Sequence, residues 1–110
     1  MDEVSRVAEQ AEGSLFGRRL KHIRLEAGLS QKALGIRAGL DPFVASARIN
    51  RYERGIHKVD YQFVTRLAEV LNVPSAYFYA EDDDLADLIL AFGREDAATL
   101  EALLASVRAR

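Results

Sequence analysis

The densest group of side chains capable of recognition chemistry lies between residues 43 and 58. Arg48, Arg51 and Arg54 recur every three residues, Asn50 stands among them, and Lys58 follows. A guanidinium is a rigid fork of donors that meets two acceptors at once, on a carboxylate, a phosphate or the major-groove edge of guanine. A carboxamide meets the donor–acceptor pair of adenine. Nothing comparable supports catalysis. His22 and His57 are the only histidines, and neither has a ligand or triad partner at the usual spacings. The absence of cysteine removes disulfides, thiolate chemistry and cysteine-rich zinc sites, and fits a reducing, cytoplasmic compartment. The acids Glu81 to Asp84 lack the Asp-x-Asp-x-Asp-Gly spacing of a calcium loop. No glycine-rich phosphate loop follows a strand. The chain therefore reads as a binding protein, not an enzyme, with no cofactor and no metal.

Charge supports an anionic partner. The net charge of −2 over 110 residues conceals a segregation. Residues 13–66 hold eleven Lys/Arg against four Asp/Glu, whereas residues 67–110 hold three against nine. A basic middle between acidic ends suits a polyanion-binding unit with segments appended for another purpose. The first fourteen residues carry four acids and no long apolar run, so they do not read as a signal peptide. No run of about 18 apolar residues exists to span a membrane.

The elements that must position these side chains are all helices. Ser14 caps a helix to Ala27 bearing Phe16, Leu20 and Ile23, closed by Gly28. Ser30 caps a short helix, Gln31 to Ala38, ended by Gly39. Asp41 followed by Pro42 opens a third helix that runs to about Glu53, before Gly55. Asp60 opens a fourth, with Phe63, Val64, Leu67, Ala68 and Leu71 on one side, ended by Asn72 and Pro74. Ser75 begins a short turn through Tyr79. Two amphipathic segments follow, with stripes Leu85–Leu88–Ile89–Phe92 and Leu100–Leu103–Leu104–Val107, separated by Gly93. The acids at Asp82–Asp84 and at Glu95–Asp96 suit the positive ends of these two helices. The expected division is a flexible segment 1–13, a domain over 14–80 and a helical extension over 81–110.

Gln31–Ala38, the turn Gly39-Leu40-Asp41 and the helix from Pro42 have the layout of a helix-turn-helix. Gly39 suits a left-handed turn backbone, and Gly35 is small enough to let the two helices approach closely. With FGRRLKHIRLEAGLSQKALGIRAGL, INRYERG and VTRLAEVLNV, residues 14–80 resemble the phage Cro and repressor family of helix-turn-helix proteins, the XRE type. The resemblance implies an all-α fold, a five-helix repressor-like bundle with a C-terminal helical extension. It implies double-stranded DNA as partner, bound by the third helix, and commonly a homodimer. Gln31 matches the family's phosphate-holding glutamine. Arg24 and Glu53 match an ion pair that ties the first helix to the recognition helix.

The family usually has about four fewer residues between the glycine turn and the Glu-x-Gly, so this recognition helix is about one turn longer. Anchored on Glu53, the reading positions fall on Ser46, Ala47, Arg48 and Arg51. Anchored on Gly39, they fall on Pro42, Phe43 and Val44. Periodicity sends Ala45, Ile49 and Tyr52 to the core. That leaves Phe43, Ala47, Asn50, Arg51 and Arg54 on the outer face, with Ser46 at its edge. Phe43, Ser46, Ala47, Asn50 and Arg51 are the candidate base readers; Phe43 has an equal reading as a core or subunit contact. Gln31, Lys32, Arg37, Arg48, Arg54 and Lys58 are candidate phosphate contacts, with Arg18 or Arg19 beside them. The expectation is a transcriptional regulator, a repressor acting as a homodimer on a palindromic operator. The rival reading is a protein-interaction module, such as an antitoxin or anti-repressor partner, whose acidic helices in 81–110 grip another protein.

Overall fold

Every helix begins where a small oxygen-bearing side chain takes up a free backbone N–H. The computed structural model describes residues 14–110, which form α1 (Leu15–Glu26), α2 (Gln31–Arg37), α3 (Pro42–Glu53), α4 (Tyr61–Leu71), a 3₁₀ turn (Ser75–Tyr79), α5 (Asp83–Arg94) and α6 (Ala97–Arg108). No strand occurs among these residues. The expected flexible segment 1–13 lies outside them. Ser14 Oγ accepts from Gly17 N, Ser30 Oγ from Ala33 N, and Asp60 Oδ1 from Phe63 N, each at 3.0 Å. Asp41 accepts from Phe43 N at 2.8 Å, ahead of a proline at the first helical position, where its missing N–H costs nothing. Asp82 and Asp96 do the same for α5 and α6.

α1 to α4 and the 3₁₀ turn surround one core. Leu20, Ile23, Leu34, Ile49, Val64, Leu67, Tyr77 and Phe78 are almost wholly removed from water. The 3₁₀ turn closes the bundle over α1, where the Phe16 and Phe78 rings lie 5.0 Å apart. α2 and α3 form the most intimate pair. They cross at Gly35, where a Cβ would lie 2.8 Å from the Ala45 Cβ, too near for any other residue. Gly39, with φ of 100°, supplies the left-handed turn between them.

Two features of the tail depart from expectation. Gly93 does not separate the last two helices: α5 continues through it to Arg94. A Cβ there would lie 2.6 Å from Pro74 Cγ, so this glycine serves close packing within a helix. The break falls instead at Glu95 and Asp96, both extended, where Asp96 caps the next helix. α5 is joined to the bundle through buried Asp83 and Ala86, with Ile89 and Leu90 partly covered. α6 buries none of its residues.

Candidate nucleic-acid interface

α3 is anchored by its inner side. Ala45 and Ile49 are fully buried and Tyr52 nearly so, as the periodicity requires. Three and four residues apart on the other side, Phe43, Ala47, Arg51 and Arg54 are exposed, with Ser46 also open to solvent and Asn50 half-buried. Arg48 lies half-buried on the flank. Phe43 is 99% exposed, which excludes its reading as a core contact. Val44 beside it is exposed too, whereas Ala45 in the same turn packs against Gly35.

The far end of α3 is held by a buried network centred on the Glu53 carboxylate. Arg24 Nε donates to Oε2 at 2.6 Å and Arg24 Nη2 to Oε1 at 3.1 Å, a bidentate pair with both side chains almost fully enclosed. Arg24 Nη1 donates to the Leu29 carbonyl at 2.9 Å, which pins the turn into α2. Gln31 Nε2 donates to Glu53 Oε1 at 3.1 Å. The expected pair is thus present, and it includes a partner that sequence reasoning assigned elsewhere. A carboxamide nitrogen carries two hydrogens. With one committed to Glu53, the Gln31 head group is held in place and keeps a second donor.

The remaining cations divide. Lys32, Arg37, Arg54 and Lys58 are exposed on α2, the end of α3 and the loop that follows. Arg66 of α4 adds a charge missed in the sequence: its Nη1 would lie 3.4 Å from a Cβ at Gly39, beside the helix-turn-helix turn. Arg19 is not a candidate for backbone contacts. It is buried, its Nη1 donates to Asp83 Oδ1 at 2.9 Å, and its Nε and Nη2 donate to the Ala80 carbonyl at 3.0 and 2.7 Å. Its guanidinium also lies 5.8 Å from the Tyr77 ring centre. The signal was present: Arg19 falls within the stripe Phe16–Leu20–Ile23, and an arginine on a buried stripe must find a carboxylate. Burial pushes the Tyr77 hydroxyl above its ordinary pKa, partly offset by Arg19.

A family model described as a helix-turn-helix domain matches residues 15–76, from the first residue of α1 into the 3₁₀ turn. A crystal structure of the transcriptional regulator BswR superposes with a TM-score of 0.80 at 42% sequence identity, covering 86% of this chain and 93% of that one. Residues 1–76 make up only about seven-tenths of the chain, so part of this likeness lies beyond residue 76. No curated protein matches the chain. With α2 and α3 packed across Gly35 and Ala45 and the matched region covering more than half its length, the chain belongs to the helix-turn-helix domain family.

Proposed function

We propose that this protein is a sequence-specific, double-stranded-DNA-binding transcriptional regulator, and that it acts as a homodimer on a palindromic operator. One observation carries the reading. α3 is fixed by its buried side and offers solvent a face that bears Arg51 and the half-buried Asn50. A helix of this diameter enters the major groove, where Arg51 takes guanine and Asn50 takes adenine through paired hydrogen bonds. Ser46, Ala47 and Phe43 lie along the same face, and the last two suit thymine methyl groups. Lys32, Arg37, Arg48, Arg54 and Lys58 hold the strands, and Gln31 gives its second amide hydrogen to a phosphate. Membership of a helix-turn-helix family and the likeness to a transcriptional regulator support the reading. The resemblance to phage repressors extends it to repression by operator occupancy.

Selection of bound sequences from random duplexes tests this. The expected result is an enriched motif with inverted symmetry, half-sites about one helical turn apart. Recovery of unenriched sequence contradicts it.

A further inference from the structure

Among the described residues, α6 is the helix least packed against the rest. None of the principal helix–helix contacts involves it, and it buries no residue. At 12 residues it is at the margin of what stands alone in water, so its stripe of Leu100, Leu103, Leu104 and Val107 requires a covering surface. α5 has the converse problem. It is clamped to the bundle at both ends, by Arg19–Asp83 and by Arg94, which donates to the Asn72 carbonyl and to Glu26. Yet Leu85, Leu88 and Phe92 remain exposed along it, Leu88 to 67%. The extended Glu95 and Asp96 separate α6 from α5.

We propose that α6 is an exchanged arm: in the homodimer each α6 lies antiparallel along α5 of the other protomer. Charge order fixes the direction. α5 is acidic at its start, with Asp84 and Asp87 exposed, and α6 ends in Arg108, with Arg110 just beyond it, both exposed. The antiparallel arrangement brings these groups together, whereas a parallel one sets the acids around Asp82 beside Asp96. Pairing α5 with α5 would leave α6 bare. The second copy is therefore the occupant that covers both stripes and matches both charge ends. This deepens the dimeric reading above and rests on it.

The test is a charge exchange. One variant carries Arg108→Glu with Arg110→Glu, the other Asp84→Lys with Asp87→Lys; all four positions are exposed, so the fold survives, as circular dichroism will verify. By light scattering the wild type has twice the chain mass. Each variant alone weakens self-association at least tenfold, and the equimolar mixture recovers the dimer mass, because only the mixed pair opposes Lys to Glu and Asp to Arg at both contacts. A monomeric wild type, a variant that keeps the wild-type mass, or a mixture that stays monomeric overturns the proposal. Titration of the same samples with a short duplex keeps the two readings apart: monomeric variants still bind DNA in a salt-dependent way, and loss of all attraction in the wild type refutes DNA binding, whatever the mass.

Discussion

Glu53 is the residue on which the reading head depends, since its carboxylate receives Arg24 twice and Gln31 once. Arg24→Ala leaves that carboxylate buried with only the amide for company. Breaking a buried pair from one side costs about 3–5 kcal/mol. The urea midpoint is expected to fall accordingly, and an unchanged midpoint contradicts the network's importance. Arg51 has the opposite character: it is exposed and has no role in the core. Arg51→Ala is expected to leave stability within about 0.5 kcal/mol while removing about 1–3 kcal/mol of discrimination. Affinity for the selected sequence falls and affinity for random duplex barely moves; equal losses on both refute base reading. The Arg24–Glu53 pair was legible because two motif fragments resemble a known pattern. Gln31's bond to Glu53 and Arg19's to Asp83 were not, since they join residues 22 and 64 positions apart and depend on how the helices cross.

At the level of elements, the caps made the helices readable. Ser14, Ser30, Asp41, Asp60, Asp82 and Asp96 each accept from the backbone two or three residues on, so the helix starts fall within a residue of the sequence reading. Gly93 was misread because a glycine that ends a helix and one that admits a neighbour look alike until Pro74 is in place. The start of α5 also has a stability role that its acidity concealed. Asp83→Ala removes the carboxylate from Arg19 Nη1 while the covering helix stays in place, whereas Asp84→Ala, at an exposed neighbour, keeps the pair. The Asp83 variant is expected to be less stable by about 3–5 kcal/mol, measured by denaturant unfolding at equal low concentration; equal stability of the two variants contradicts the role given to Asp83. Asp96 makes α6 acid-sensitive. Hydrogen bonds from the Thr99 backbone and side chain hold its carboxyl below the ordinary value of 3.8. A carboxyl lowered on folding contributes stability that is present above its unfolded pKa and lost as pH falls through the folded one. Acid titration followed by circular dichroism is expected to show a helix loss that Asp96→Asn, a cap that does not titrate, lacks. Identical titrations refute it.

The whole molecule separates its charges by task. Of the eleven Lys/Arg in residues 13–66, Arg19 and Arg24 are spent on internal pairs, and the candidate rim of Lys32, Arg37, Arg48, Arg54 and Lys58 faces outward or lies at the flank of α3. The acidic C-terminal helices lie on the other side of the sequence's charge divide and carry the exposed apolar stripes. The divide was readable from composition; the arrangement of the arm was not, because an amphipathic stripe does not say which surface covers it. The central claim, that α3 reads base edges while a cationic rim holds the strands, is tested most directly by the wild-type protein's affinity for its selected duplex and for a scrambled one at rising salt. Ten neutralised phosphates, five from each protomer of the dimer, predict a fall of about 10⁵-fold between 50 and 200 mM, with the preference for the selected duplex preserved throughout. Affinity insensitive to salt, or equal for the two duplexes at every concentration, would contradict it.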